Sequence, residues 1–165
     1  MPPNEYNPIW DYSVKVMDMD QKTLELLNNV NRAIIKFRGI YSQWSSAHDI
    51  SYNEMLVLYT IREKGFCTQK QICDSYLLPR QTMNNVITGM RENGILELSS
   101  EDSVGREKAF VLTGKGKEYA QPLLESMNLF EEQAVALLGD EKLAALTALM
   151  LEYDQVLGQA LQDVR

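Results

Sequence analysis

The sequence predicts a mainly α fold that carries one small β-hairpin, and three observations support this prediction. Helix start signals recur over residues 49–94, which indicates a series of short helices in the middle of the chain. The period of the apolar residues then changes from helical to strand-like over residues 95–112. Long segments with an apolar residue at every third or fourth position flank this central region on both sides.

The N-terminal segment, residues 1–19, holds three prolines and three aromatic residues outside any periodic pattern. This composition predicts an irregular arm, because proline lacks the backbone N–H that regular elements need. The arm is either disordered or held against a partner subunit by its rings, which are Tyr6, Trp10 and Tyr12.

Three long helices are predicted in the flanking regions, residues 20–48 and 117–165, because apolar residues alternate there at spacings of three and four. On the first helix these residues are Leu27, Val30, Ile34, Phe37, Tyr41 and Trp44. On the second they are Ala120, Leu123, Met127, Phe130, Ala134 and Leu137. On the third they are Leu143, Leu146, Met150, Tyr153 and Leu157. Such seams form either the core of one bundle or a subunit interface, and we favour the interface because the central region has its own apolar core.

Residues 49–116 are predicted to form a separate domain, which begins with a helix over Ile50 to Lys64. Ser51 and Glu54 form a capping box, in which each side chain bonds the backbone N–H of the other residue. Gly65 suits the end of this helix, since glycine readily adopts the conformation of a helix C-terminus.

Two further helices follow in this domain. Thr68 and Gln71 form a second capping box, which predicts a helix that ends at about Tyr76. Pro79 suits the opening of the next helix, where a backbone N–H is dispensable. Asn93 and Gly94 end that helix.

Two short strands come next, Ile95–Leu98 and Ala109–Leu112, and they bound a polar loop over Ser99 to Lys108. Arg106 lies at the tip of this loop, and Thr113 caps the helix that follows. The order of helix, turn, helix and hairpin is that of a winged helix-turn-helix. This module places its second helix in the DNA major groove with a basic loop alongside.

The second helix of the turn motif has two different faces. Its apolar residues fall within about 100° of arc and are expected to face the core: Met83, Val86, Ile87 and Met90. The opposite face carries Gln81, Asn85 and Thr88, flanked by Asn84 and Thr82. Asparagine has a low helix propensity, so its use here needs a reason. Asn and Gln can bond the adenine edge bidentately, and Thr can reach bases or phosphates, so this face predicts base readout.

Basic residues near this face are candidates for contacts with the DNA backbone. Arg106, with Lys108 beside it, is positioned for the narrow minor groove, where the negative potential is deepest. Lys70 and Arg80 lie near helix starts and are candidates for phosphate contacts that fix the register. Weaker phosphate candidates are Lys115 and Lys117.

The net charge of −7 is unusual for a nucleic-acid-binding protein, but the acidic residues are unevenly distributed. Residues 62–117 hold nine Lys/Arg and seven Asp/Glu, a balance of +2, and the remainder of the chain has a balance of −9. The predicted DNA-binding region is therefore mildly basic, as local recognition requires.

Composition excludes several other classes of protein. Two cysteines and one histidine match no zinc spacing or disulfide scaffold, and no glycine loop or nucleophile elbow indicates an enzyme. We therefore expect no metal and no cofactor. No apolar run approaches the ~18 residues of a membrane span, and no signal-peptide pattern is present, which predicts a soluble cytoplasmic protein.

These motifs, in this order and spacing, resemble the MarR family of multiple-antibiotic-resistance-type repressors over about residues 20–162. The resemblance rests on residues 51–58, 68–72, 83–95 and 106–116. It implies an intertwined homodimer made by the first helix and the last two, a recognition helix in the major groove, and Arg106 in the minor groove. The family's D-x-R…L-T-x-x-G pattern is matched by Arg106, Leu112, Thr113 and Gly116.

Two positions depart from the family pattern. The Asp that normally orients the wing Arg would fall at Val104, and the nearest acid is Asp102, so the wing geometry is expected to differ. Pro79 occupies the place of a capping Ser or Thr, which weakens one phosphate contact.

The resemblance also implies a small anionic or phenolic effector, bound between the dimer helices and the DNA-binding domain. The candidate residues are Tyr41, Trp44, His48 and Tyr59, although aromatic residues at these spacings also suit core packing. A redox trigger is the competing hypothesis. Cys67 precedes a helix start, where the helix dipole would lower the pKa of its thiol, whereas Cys73 is expected in the core.

The sequence thus predicts a homodimeric DNA-binding transcriptional regulator, a repressor that releases a pseudo-palindromic operator when a small ligand binds. The alternative is a winged-helix module for protein–protein contact, with the acidic flanking helices as its functional surface.

Overall fold

The computed structural model describes residues 19–164, so the predicted arm lies outside the described residues except for Met19. The elements are α1 (Gln21–Ala47), α2 (Tyr52–Lys64), β1 (Cys67–Thr68), α3 (Gln69–Tyr76), α4 (Arg80–Glu92), β2 (Leu96–Val104), β3 (Glu107–Leu112), α5 (Gly114–Leu138) and α6 (Asp140–Asp163). The strands form one antiparallel sheet in the order β1-β3-β2. The predicted fold class, mainly α with a small hairpin, is confirmed.

Both capping boxes are present. The Ser51 hydroxyl accepts from the Glu54 N–H at 3.1 Å, and the Ser51 N–H donates to the Glu54 carboxylate at 2.9 Å. Thr68 and Gln71 make the same reciprocal pair at 3.0 and 3.3 Å. Gly65 ends α2 with φ of +83°, the left-handed conformation that glycine favours.

The sheet differs from the prediction in two ways. The sequence analysis did not identify β1, in which Cys67 and Thr68 pair with Phe110 and Ala109, because two residues are too few to show a strand pattern. The predicted ten-residue loop between the strands is wrong. Strand β2 continues to Val104 and β3 begins at Glu107, so only two residues form the turn.

Side chains explain how the hairpin extends beyond its regular ladder. Backbone pairing of β2 with β3 is irregular between Ser99 and Val104. In that stretch the Ser103 hydroxyl accepts from the Ala109 N–H at 3.0 Å and donates to the Ser99 carbonyl. These bonds replace ladder bonds. The polar residues that were predicted to form a loop therefore continue the strand.

One apolar core lies beneath α2, α3, α4 and the sheet. Its fully buried members include Val57, Leu58, Ile72 and Met83. The first half of α5 completes the core, with Ala120, Leu123 and Met127 buried. Residues from the predicted second seam therefore pack within the same chain as the central domain.

The outer helices, α1 and α6, bury far fewer residues than the central domain. Helix α6 has no buried residue, and Ser45 is the one buried residue of α1. Large apolar side chains on them remain exposed, among them Leu26, Ile35, Leu149, Leu151 and Val156. Residues 19–164 of a single chain therefore do not form a closed bundle around α1 and α6. None of the helices described is long and apolar enough to cross a membrane.

Candidate nucleic-acid interface

Helix α4 separates its apolar and polar residues as the sequence predicts. Met83, Ile87 and Met90 are buried in the core. On the other side, Gln81, Asn84 and Asn85 are exposed, and Thr82 and Thr88 are half-buried. Val86 is half-buried against the core. The Gln81 amide donates to the Asn85 side-chain oxygen at 2.9 Å, one helical turn apart. Two of the predicted base-reading amides are thus aligned along one outward edge of the helix.

The start of α4 carries no side-chain cap. Pro79 is the N-cap residue and makes no side-chain hydrogen bond to the helix, which confirms the predicted departure at this position. The Gln69 amide donates to the Arg80 carbonyl at 2.7 Å. This bond joins the first turn of α3 to the first turn of α4 and so helps to set the angle between the two helices.

A cleft of about 620 Å³ lies between α3, α4 and the hairpin. We call it the basic cleft. Its lining residues are Gln69, Lys70, Arg80, Asn84, Ile87, Thr88, Arg91, Arg106, Glu107, Lys108 and Phe110. Five of these side chains are cationic, and one is acidic. The structure therefore brings six of the predicted DNA-binding residues to one concave surface, while Gln81, Thr82 and Asn85 do not line it.

Arg91 is a member of this surface that the sequence analysis missed. It follows Arg80, Asn84 and Ile87 along one row of α4, at positions i, i+4, i+7 and i+11, which a helical projection could have identified. Its guanidinium carbon lies 5.5 Å from the centre of the Phe110 ring on β3, a cation–π distance. The ring thus helps to hold Arg91 at the edge of the basic cleft.

Arg106 is exposed at the tip of the hairpin, next to Gly105 with φ of +59°. Within residues 19–164 it forms neither an ion pair nor a side-chain hydrogen bond. Asp102 instead accepts from the Ser99 hydroxyl at 2.6 Å, and Val104 is 78% exposed. As the sequence predicts, no carboxylate orients the wing Arg here.

Two of the remaining candidate lysines, Lys70 and Lys115, have local partners. Lys70 forms an ion pair with Asp74 at 2.9 Å, and this hydrogen bond and charge raise the pKa of Lys70. Lys115 donates to the Asn93 carbonyl at 2.8 Å, so it caps the C-terminus of α4 and does not line the basic cleft. Lys117 is exposed and also lies outside the cleft.

Known proteins share this arrangement. A sequence model of the MarR family matches residues 48–107, from the start of the helix-turn-helix region into the hairpin. The uncharacterized HTH-type transcriptional regulator YwoH of Bacillus subtilis is 29% identical over 136 residues, which are 81% of this chain and 89% of that protein. A MarR family regulator from Neisseria meningitidis is 28% identical with a TM-score of 0.77, over 89% of this chain and 100% of that one. Over its winged helix-turn-helix region, the chain matches the MarR family.

The chain shares the winged-helix fold of these regulators. The MarR of Staphylococcus aureus, solved in complex with salicylate and kanamycin, shares the fold. It is 17% identical, with a TM-score of 0.63, over 85% of this chain and 95% of that one.

The predicted effector residues fall into two separate clusters. In the first, the Tyr41 hydroxyl donates to the Glu131 carboxylate at 3.0 Å, and Arg62 pairs with the same carboxylate at 3.0 Å. The Arg62 guanidinium lies 4.3 Å from the centre of the Tyr59 ring. Burial, together with the charge of Glu131, raises the pKa of Tyr41 to about 12.

In the second cluster, the rings of Trp44 and His48 stack at 4.3 Å. His48 Nδ1 lies 2.8 Å from the Trp44 carbonyl, and its Nε2 lies 2.8 Å from the Ser126 hydroxyl. Because a carbonyl can only accept, Nδ1 carries a proton and donates to the Trp44 carbonyl.

Tyr41 and Tyr59 therefore lie around Arg62, apart from Trp44 and His48. A groove of about 380 Å³ beside the first cluster is lined by Arg62, Asn128, Glu131, Glu132, Val135 and Ala136. Tyr41 and His48 contact α5, and the role of the four residues in effector binding stays a prediction. Arg62 and Glu131, which do line a groove, carried no periodic signal.

The cysteine prediction is also corrected. Cys67 lies in β1 with no exposed surface, and burial raises the pKa of its thiol to about 12. Desolvation thus outweighs the helix dipole that was expected to lower this pKa. Cys73 is buried in the core, as predicted, and burial raises its pKa as well.

Proposed function

We propose that this chain is a homodimeric DNA-binding repressor of the MarR type, which binds a pseudo-palindromic operator and releases it when a small ligand binds. The observation that carries the proposal is the basic cleft between α4 and the hairpin, with the exposed amides of α4 beside it. A row of cations next to an uncharged polar face combines backbone attraction with base readout.

Each part of this surface has a separate role in the proposed complex. Helix α4 enters the major groove, where Gln81, Asn85 and Thr88 reach base edges and the flanking Asn84 and Thr82 add base or phosphate contacts. The backbone strand that separates the two grooves then lies over the basic cleft. Its phosphates are met by Lys70, Arg80, Arg91 and Lys108. Arg106 reaches the adjacent minor groove, where its charge is most strongly attracted.

The outer helices supply the proposed dimer interface. Apolar side chains of α1 and α6 stay exposed, although such large patches are rare on monomeric soluble proteins. A second copy that covers them would place two α4 helices about one DNA turn apart. Most of the acidic residues lie outside residues 62–117, away from the basic cleft.

The proposed effector binds at the groove beside Arg62. This arginine is on α2 of the DNA-binding domain, whereas its partners Asn128 and Glu131 are on α5. Tyr41 of α1 joins the same carboxylate. An anionic or phenolic ligand that competes for Arg62 would change the contact between the dimer helices and the DNA-binding domain. The likeness to a MarR whose structure contains salicylate supports this ligand class.

Selection from a random pool of duplex DNA tests the proposal. The purified chain is expected to elute as a dimer in size-exclusion chromatography and to enrich a sequence with two-fold symmetry. Binding of that duplex is expected to weaken steeply as salt rises, because phosphate contacts release counterions. A monomeric chain, or one that enriches no duplex in low salt, contradicts the proposal and favours the protein–protein alternative.

A further inference from the structure

Glu107 is the one acidic side chain among the described residues that line the basic cleft. It is the first residue of β3 and directly follows Arg106 at the hairpin tip. A carboxylate on a surface that receives phosphates opposes binding by charge repulsion. The presence of Glu107 in the basic cleft therefore needs a structural explanation.

The Glu107 carboxylate accepts a hydrogen bond from the Thr68 hydroxyl. Thr68 is buried, ends β1 and is the N-cap residue of α3. The same hydroxyl oxygen accepts from the Gln71 N–H at 3.0 Å. One hydroxyl group thus connects the hairpin to the first turn of the helix-turn-helix.

This contact lies where the backbone no longer holds the hairpin to the rest of the domain. The pairing of β1 with β3 ends at Thr68 and Ala109. Between Ser99 and Val104 the pairing of β2 with β3 is irregular. Among the side-chain hydrogen bonds of residues 19–164, the bond from Thr68 to Glu107 is the one that ties residues 100–108 to an element outside the hairpin.

We propose that Glu107 is a positioning residue for DNA recognition, which holds the hairpin on Thr68 and thereby fixes the separation of Arg106 from the exposed amides of α4. This inference rests on the proposed function and deepens it. A hairpin held in place loses little conformational freedom on binding and presents Arg106 to one groove while α4 occupies the other. A loosened hairpin still offers the same cations to any DNA, but at no set distance, so selectivity falls more than affinity.

Two substitutions separate the hydrogen bond from the charge. Glu107→Ala removes both, whereas Glu107→Gln removes the charge and keeps a side-chain oxygen that can accept from Thr68. Glu101→Ala and Glu101→Gln are the matched controls, since Glu101 is an exposed acid of the same hairpin that does not line the basic cleft. Fluorescence anisotropy gives the affinity of each variant for the duplex enriched by the wild type and for a mixed-sequence duplex of the same length.

The measured quantity is the ratio of the two affinities. A reduced folded fraction scales both affinities alike, so partial unfolding does not change this ratio. Glu107→Ala is expected to lower the ratio by about tenfold, the range of a lost charge-assisted hydrogen bond. Glu107→Gln is expected to keep the ratio within about twofold and to raise both affinities, because one charge that repels phosphate is gone. Both Glu101 variants should keep the wild-type ratio.

If Glu107→Ala keeps the wild-type affinity ratio, the inference is overturned, because the hydrogen bond then does not position any residue that recognises DNA sequence. An equally lowered affinity ratio in Glu107→Gln also overturns the inference, since the loss of selectivity would then come from the missing charge and not from the missing hydrogen bond. Both outcomes leave the proposed function intact, provided that the wild type enriches a duplex. A wild type that enriches none contradicts the proposed function and this inference together.

Discussion

The backbone carbonyl of Ile95 occupies the space that a side chain on Gly116 would need. A Cβ atom built on Gly116 would lie 2.1 Å from the Ile95 oxygen, well inside van der Waals contact. Thr113 secures this approach, since its N–H donates to the Ile95 carbonyl at 3.0 Å and its hydroxyl donates to the Gly94 carbonyl at 2.6 Å. The start of α5 is therefore packed directly on the backbone that leads into β2.

Gly116→Ala is expected to destabilise the protein because the new methyl group must displace backbone. Overpacking of this kind costs about 1–3 kcal/mol or more, which lowers the melting temperature by several degrees. Gly114→Ala is the matched control, since it lies in the same first turn with nothing within 4 Å of the added Cβ. Thermal unfolding followed by circular dichroism measures both. Equal melting temperatures for the two variants would show that the backbone relaxes freely at Gly116.

Asn85→Ala is expected to weaken binding of the enriched duplex with little change in the melting temperature. Loss of one bidentate base contact costs about 1–3 kcal/mol, which is roughly a thirtyfold loss of affinity in the middle of that range. The bond from Gln81 to Asn85 is exposed, and alanine is the better helix former, so stability is nearly unaffected. Fluorescence anisotropy measures the affinity, and thermal unfolding measures the melting temperature. Unchanged affinity would exclude this face of α4 from base readout.

Arg91→Ala is expected to weaken binding of the enriched and mixed-sequence duplexes alike. Loss of one phosphate contact should reduce the slope of log affinity against log salt by about one. Lys64→Ala is the control, because Lys64 is another exposed cation in the last turn of a helix and does not line the basic cleft. A titration over several salt concentrations gives both slopes. The role of Arg91 in phosphate binding is rejected if its slope matches that of the control.

Cys67 is expected to resist alkylation in the folded protein at pH 8. Burial raises its pKa to about 12, so the neutral thiol predominates and the reactive thiolate is rare until the pH approaches that value. Iodoacetamide labelling followed by mass spectrometry measures this, with labelling in denaturant as the control. Rapid modification of Cys67 in the native protein would restore the redox hypothesis.

Features that depend on nearby residues were predictable from the sequence. The capping boxes at Ser51 and Thr68 close their hydrogen bonds within three residues, so neighbouring side chains suffice to identify them. The buried face of α4 follows from the helical period alone, which correctly separated Met83 and Ile87 from Asn84 and Asn85.

Features that depend on distant contacts were missed or wrong. Strand β1 exists because Cys67 and Thr68 meet β3, and the extended hairpin exists because Ser103 bonds Ala109. The same contact with β3 buries Cys67 and reverses the expected direction of its pKa shift. Tyr41 and Trp44 share one helical seam, but Tyr41 bonds Glu131 on α5 whereas Trp44 stacks on His48.

The sequence by itself determined the order of the elements, the polar face of α4 and the departures at Pro79 and Val104, because each depends on periodicity or on residue identity at one position. Only the tertiary structure decided that Arg91 joins the basic cleft and that Glu107 reaches Thr68. The physical reason is that the role of a charged side chain depends on the residues it contacts. Arg91 contacts Phe110 and Glu107 contacts Thr68, and both partners belong to other elements of the fold.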